Sequence, residues 1–279
     1  MIRVAFPHTD GGLFRVSADM WKNRSVKMTS VSEKIITFDA VKTLLKQKIR
    51  LMTIEEAIRD RHSVRKYIDK PLSAEQIDIL QNKIAEVNNE GGLHVQLVVN
   101  EPKAFCGRMA YGKFKGVSNY FAMIGRKSDD MKELIGYYGE HLVLLAQTLG
   151  LNTCWVALTY NKVSGAYDVA DDEKIYCLIA LGYGDEPGRK QKRKSVSQVS
   201  NAGDSTPEWF GRGVEAALLA PTAVNQQKFR FDYVAPGIDG IHRVKASRGF
   251  SLIGYTKIDL GIAKCHFEIG AGRENFEWA

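Results

Sequence analysis

The pattern of apolar and polar positions divides this chain into a weakly patterned beginning and a strongly patterned remainder. Ile54, Ala57 and Ile58 form an apolar stripe at helical spacing. Thr53 and Glu56 make a T-x-x-E capping box in front of it, so a helix starts there. A second box, Ser73 with Gln76, opens a longer helix whose stripe is Ile77, Leu80, Ile84 and Val87; Asn88, Asn89, Gly91 and Gly92 end it. Leu93 to Val99 and Tyr120 to Ile124 read as strands. Met131 to Leu149 is a long helix, apolar enough to sit centrally, and Gly150 ends it. Cys154 to Leu158 and Ile175 to Leu181 are short apolar runs of strand type. Thr206-Pro207-Glu208 predicts a helix with Thr206 as N-cap and proline at the first helical position, stopping before Pro221. Phe229, Phe231 and Tyr233 alternate with Arg230 and Asp232 as in a half-buried strand, and residues 240–246 supply its hairpin partner. A last helix runs from about Lys257 to Ile269. Together these elements predict an α+β fold, a mostly antiparallel sheet with helices around it.

Residues 1–51 mix Gly11, Gly12, scattered lysines and short apolar pieces without sustained periodicity. They read as an N-terminal extension, or as the product of an early start codon, ahead of a domain over 52–279. The other reading is a true helix over roughly 41–51 that packs on the domain or on a second subunit. With 279 residues, 44% hydrophobic and 25% charged, the chain has ordinary globular composition and fits one large domain or two small ones. The net charge of +7 favours anionic ligands without implying nucleic acid, since one phosphate-bearing cofactor can use several of those charges locally.

Cys106, Cys154, Cys177 and Cys265 form no C-x-x-C and no zinc spacing, as expected of free thiols in a reducing compartment. No apolar run reaches membrane-spanning length; the longest, Leu142 to Leu151, is broken by Gln147, Thr148 and Gly150. No signal-peptide pattern opens the chain. The expectation is a soluble cytoplasmic protein with no membrane partner. There is no G-x-G-x-x-G, Walker loop or G-x-S-x-G, no histidine pair at ligand spacing and no suitable carboxylate pair, so hydrolase and metal chemistry lack residues. His141 and His266, in apolar helices, read as satisfied core residues.

Candidate chemistry lies in four places. In Arg61-His62-Ser63-Val64-Arg65 an extended backbone turns residues 61, 63 and 65 to one side. Two guanidiniums and a hydroxyl then suit a phosphate; the plainer reading is a solvated helix end whose cations oppose the dipole. Ala220-Pro221-Thr222-Ala223-Val224-Asn225-Gln226-Gln227 gathers a hydroxyl and amides that offer both donors and acceptors, as a flavin's pyrimidine edge needs, or simply forms a polar helix-to-strand connection. Leu149 to Trp155 is a glycine-capped helix end feeding a strand whose N–H groups can face a ligand, or a plain helix stop. The basic run Arg189, Lys190, Lys192, Arg193, Lys194 contains no aromatic platform, so it is a phosphate-anchoring arm or a solvated loop rather than a nucleic-acid surface.

Taken together, these segments resemble the FMN-dependent nitroreductase family over roughly residues 52–279. Residues 61–65 resemble its Arg-x-Ser-x-Arg segment and 149–155 its Gly-Leu-Gly-Thr-Cys-Trp. Ala180-Leu181-Gly182-Tyr183 with Arg193-Lys194 resembles its Ile-Gly-Tyr-Pro and Arg-Lys-Pro, and 220–227 its Ala-Pro-Ser-x-x-Asn-x-Gln. The order departs from the usual pattern, because the Ala-Pro-Thr segment falls in the last quarter. This is similar to a rearranged, thermophile-type branch. The usual family homodimer builds each flavin site from both subunits. The resemblance therefore implies a pseudo-dimer within one chain, with halves of about 52–200 and 201–279 and one FMN, as a monomer or homodimer.

The resemblance further implies that Arg61, Ser63 and Arg193 hold the phosphate with His62 beside it, and that Arg65 lies near N1 and O2 of the flavin. Thr222, Asn225 and Gln227 would meet the ring edge or ribityl chain. Backbone N–H groups near Trp155, Val156 and Ala157 would address N5 and O4. Gln191 stands where the family has a second basic residue, a place Lys190 or Lys192 can fill. The implied activity is ping-pong hydride transfer from NADH or NADPH, through FMN, to a small-molecule acceptor such as a nitroaromatic or quinone, with no catalytic side chain assigned. Reductive dehalogenation or flavin breakdown on the same scaffold, a non-turnover FMN-binding or sensor protein, and a basic nucleic-acid-binding module are the competing readings.

Overall fold

The structure is a computed structural model that describes residues 25–26, 36–37, 52–106, 113–186, 188 and 192–279. The chain divides into two compact units, Met1–Leu51 and Met52–Ala279. In the first, strands β1 (Ser25–Val26) and β2 (Ile36–Thr37) pair antiparallel; the helix anticipated over 41–51 lies outside the described residues.

The second unit begins as its caps dictate. Thr53 Oγ1 accepts from Glu56 N–H and Glu56 returns the bond, opening α1 (Ile54–Asp60); Ser73 and Gln76 do the same for α2 (Ala74–Gly91). Gly92 ends α2 in the left-handed conformation, with nothing near the place of a Cβ. Strands β3 (Gln96–Val98), β4 (Asn119–Arg126), β5 (Asn152–Val156) and β6 (Glu173–Gly182) form an antiparallel sheet in the order β3-β4-β6-β5. Leu93, expected inside β3, precedes it and makes only an isolated bridge to Gly125. The central helix α3 (Met131–Thr148) packs on this sheet through Ile135, Leu142 and Val143, all in one core with Phe121, Met123 and Ile179.

After the one-turn helix α4 (Val196–Val199), α5 (Glu208–Ala217) starts one residue later than expected. Thr206 is not its cap: its hydroxyl donates back to Gly203 O at 2.8 Å, and Pro207 is the residue preceding the helix. β7 (Phe229–Val234) and β8 (Arg243–Arg248) make the anticipated hairpin pair, and β9 (Glu277–Trp278) adds in parallel to β8. The last helix, α6 (Thr256–Ala271), crosses α3 at very close range. A Cβ at Gly136 would lie 2.1 Å from Ile258 O, and one at Gly261 would lie 2.0 Å from Glu133 O. Each helix thus gives up a side chain where the other's backbone passes, which brings the two sheets' central helices together in one core. This is the expected α+β arrangement of antiparallel sheet and flanking helices.

Candidate functional site

After α1 the chain enters an extended strap, with Arg61 already at β-type dihedrals. Val64 N–H donates to Thr153 O at 3.0 Å, Lys115 N–H to Arg65 O at 2.9 Å and Ile68 N–H to Tyr183 O at 3.0 Å. The strap is therefore held between β5, the residues before β4 and the end of β6. Ser63 and Thr153 form a parallel bridge. Because the Thr153 carbonyl faces the strap, strand alternation turns the backbone of Trp155 to that same outer edge and that of Val156 toward β6. The expected trio of N–H groups is thus reduced. Trp155 faces outward and Val156 serves the sheet through its register with Leu178, while Ala157 lies just past the end of β5.

The charges of Arg61 and Arg65 and the Ser63 hydroxyl all act on one buried group, the thiol of Cys154. Burial pushes that thiol up from its ordinary value; the Arg65 charge, a hydrogen bond with Ser63 and the Arg61 charge act against it, in that order. The net result is a thiol that burial holds neutral. Arg65 is exposed. Arg61 is half-buried: Nη1 donates to Leu219 O at 3.1 Å, whereas Nε is enclosed and has no partner among the described residues. Burial pushes the Arg61 guanidinium down, and Glu140 and Cys154 oppose this. His62, within the strap, has Nδ1 3.0 Å from Asp60 O. Its ring lies so close to Gly188 that a Cβ there would sit 1.8 Å from Cδ2, so the loop after β6 can approach only as glycine.

The Leu219 carbonyl that Arg61 meets stands one residue before Ala220, where the amide-rich segment begins. That segment is strained. Val224, Asn225 and Gln227 all have positive φ, at 45°, 56° and 46°. For a β-branched valine this is an outlier, and such conformations cost about 1–3 kcal/mol each and cluster at functional sites.

Hydrogen bonds hold the segment in place. Thr222 Oγ1 accepts from Gln227 N–H at 3.1 Å, and Asp259 Oδ1 accepts from Ala223 N–H at 2.9 Å. Asn225 Nδ2 and Gln227 Nε2 both donate to Lys192 O, at 2.8 and 2.9 Å. Gln227 Nε2 also reaches Asn225 Oδ1 at 3.0 Å, and its oxygen accepts from Lys194 N–H at 2.9 Å. Gln227 is buried and its amide fully engaged, so it fastens the arm rather than offering a free edge. Arg193, exposed on that fastened arm, lines a cavity of about 650 Å³ with Arg59, Arg212, Leu219 and Glu215. Residues Arg189, Lys190 and Gln191 lie outside the described residues.

The structure therefore joins Arg61, Ser63 and Arg65 around Cys154, and Thr222, Asn225 and Gln227 to the backbone beside Arg193. The two groups meet at Leu219; among the described residues no hydrogen bond runs directly from Arg61 or Arg65 to the amides of Asn225 or Gln227.

Sequence reasoning missed Glu140 and Asp259. Glu140 is wholly buried and accepts from the Trp155 indole N–H at 3.0 Å. Asp259 is buried under the strained segment. The available signal was a carboxylate on the apolar face of a helix, a position that demands a partner. The four cysteines are unpaired. Among the described residues no helix is long and apolar enough to cross a membrane.

A family model described as "Putative TM nitroreductase" matches residues 53–271. A solved structure of a "putative nitroreductase" from Thermotoga maritima is 22% identical, with a TM-score of 0.54 over 81% of this chain and 86% of that one. An FMN-dependent nitroreductase from Clostridium difficile, also 22% identical, has a TM-score of 0.38 over 51% of this chain and 92% of its own. A "putative nitroreductase" in complex with FMN from Desulfovibrio desulfuricans is 17% identical, with a TM-score of 0.44 over 55% of this chain and 98% of its own. A comparison with curated proteins finds no match.

Proposed function

The chain belongs to the nitroreductase family whose model spans residues 53–271, and from that premise we propose that it is an FMN-dependent oxidoreductase that takes reducing equivalents from NADH or NADPH and delivers them to a nitroaromatic, quinone or similar acceptor. The observation that carries the reading is the enclosed Nε of Arg61, a buried cationic donor without a partner among the described residues, beside Ser63 and one residue from the Ala220 segment. A buried donor of this kind calls for an acceptor, and an anionic one suits a guanidinium best.

The donor set fits FMN. Arg61, Ser63 and Arg193 would hold its phosphate with His62 alongside. Arg65 would balance charge at the reduced ring. Thr222 and Asn225 would border it, Gln227 would keep the arm bearing Arg193 in place, and the backbone of Trp155 and Ala157 would meet its edge. When bound, FMN supplies hydride chemistry at N5. The chain's own residues bind, orient and compensate charge; none is needed as an acid, and no catalytic side chain is assigned.

The close crossing at Gly136 and Gly261, which sets α3 against α6, supports a site assembled from both halves of one chain and hence one FMN per chain. Purified protein is expected to be yellow, and NADH or NADPH is expected to bleach it anaerobically, with an acceptor restoring the colour. A colourless protein that takes up no FMN would overturn the reading. Two FMN per chain by flavin quantitation would overturn the single-site arrangement. Colour without bleaching would favour a sensor.

A further inference from the structure

Glu140 on α3 and His266 on α6 are wholly buried, and neither is among the residues proposed to meet the cofactor. His266 Nε2 lies 2.9 Å from Glu140 Oε1, and His266 Nδ1 lies 3.1 Å from the carbonyl oxygen of Ala216 on α5. A backbone carbonyl can only accept, so Nδ1 carries a hydrogen. In a neutral imidazole Nε2 would then present a lone pair toward a carboxylate oxygen that presents another. Two buried acceptors do not sit at that distance without a hydrogen between them. The contact therefore contains a proton, either as imidazolium against carboxylate or as imidazole against carboxylic acid.

The pair reaches both parts of the site. Glu140 Oε2 accepts from the Trp155 indole N–H at 3.0 Å, and Gly139 floors that ring, where a Cβ would lie 2.5 Å from Cη2. Glu140 is also the foremost of the groups that favour a charged Arg61, against the burial that disfavours it. With a proton already in the pair, the carboxylate has no net charge left to give Arg61. The other titratable neighbours are Cys154 beside Arg61 and Cys265 and His141 beside Glu140; burial holds both thiols neutral and pushes the His141 imidazole down.

We propose that Glu140 and His266 are a positioning pair that shares one proton, seating Trp155 on β5 and leaving the Arg61 guanidinium a net positive charge for an anionic ligand group. That this group is the FMN phosphate rests on the functional reading above; the shared proton does not.

Proton NMR of the flavin-free protein carrying ¹⁵N-labelled histidine tests the pair. Two exchange-protected downfield resonances are expected, one for Nδ1–H and one for the bridging proton, the second coupled to ring ¹⁵N only where Nε2 holds it. In Glu140→Gln the amide can donate to Nε2 and still accept from Trp155. The bridging resonance should then vanish while those of Nδ1–H and the indole N–H remain. A wild type that shows the Nδ1–H resonance and no second exchange-protected downfield resonance, on nitrogen or on oxygen, overturns the proposal, and that spectrum decides even if the variant fails to fold.

FMN titration is the second arm. Because the variant is also neutral at this place, its affinity should stay within about threefold of wild type, and a change of about tenfold or more in either direction overturns the charge argument. A bridging resonance in a protein that binds no FMN supports the pair and removes the flavin reading alone.

Discussion

Gln227 and Lys194 hold each other reciprocally: the Gln227 side-chain oxygen accepts from Lys194 N–H at 2.9 Å, and Lys194 Nζ donates to the Gln227 carbonyl at 2.7 Å. Burial pushes the Lys194 ammonium down, and nearby Lys228 adds to this. The bond to a carbonyl gives the partly desolvated ammonium a partner. The result is that the arm carrying Arg193 is tied to a segment whose own backbone is held at positive φ.

Gln227→Leu removes that tie without changing the buried volume much. It leaves Lys194 N–H and Asn225 Oδ1 each short of a partner, while Lys192 O keeps its bond from Asn225 Nδ2. Such groups cost about 1–3 kcal/mol apiece where they stay buried and less where water reaches them, so a loss of roughly 2–4 kcal/mol is expected in urea unfolding. Limited proteolysis should cut near residues 192–195 first. A variant as stable as wild type and uncut there would show that the amide does not fasten the arm.

Arg61→Lys separates charge from shape. A lysine keeps the positive charge but cannot both donate to Leu219 O and present a second, fixed donor. FMN affinity, followed by quenching of flavin fluorescence, is expected to fall about 10- to 100-fold, the equivalent of losing one charge-assisted hydrogen bond. Unchanged affinity would remove Arg61 from the phosphate site.

These two residues also mark what the sequence made legible. The capping boxes at Thr53 and Ser73 were readable because both partners lie within four residues. The extended strap at 61–65 was readable from the chemistry of its alternate positions. Thr206 misled because its hydroxyl has a nearer partner in Gly203, so the same residue type forms a turn instead of a cap. β9 has two residues and pairs only because β8 lies beside it, so no period announces it. Arg61 and Leu219 are 158 positions apart, and Glu140 and His266 are 126 apart. A buried carboxylate or guanidinium needs a partner, but only tertiary packing decides which one: the turn after α5 for Arg61, the crossing of α3 and α6 for Glu140. Val224 at positive φ runs against its own propensity and could not be read from its type.

The crossing of α3 and α6 gives a prediction whose sign is set by two opposed terms. In an open helix, alanine in place of glycine is favourable by about 1 kcal/mol. At Gly261 the new Cβ would meet Glu133 O at 2.0 Å, a backbone atom that cannot rotate away. Gly261→Ala is therefore expected to destabilise by at least about 3 kcal/mol, the upper range for overpacking. Gly211→Ala, on α5 with nothing within 4 Å of the added atom, should stabilise by about 0.5–1 kcal/mol. Thermal unfolding of the two variants checks the contrast; a neutral Gly261→Ala would mean that the helices do not cross there.

Asp259 makes stability depend on pH. Burial raises its pKa from 3.8 to about 6, against the hydrogen bonds from Ala223 N–H and the Gln226 amide. Because the folded value lies above the unfolded one, the fold binds the extra proton. The contribution is complete below about pH 4 and is lost as pH rises through 6. A shift of about two units corresponds to roughly 3 kcal/mol of stability present at pH 4 and missing at pH 7.5. Asp259→Asn cannot ionise. Between those two pH values its urea stability should therefore fall by about 2–3 kcal/mol less than that of wild type, with the other carboxylates cancelling in the difference. Parallel profiles for the two proteins would show that Asp259 is already ionised at no cost beneath the strained segment.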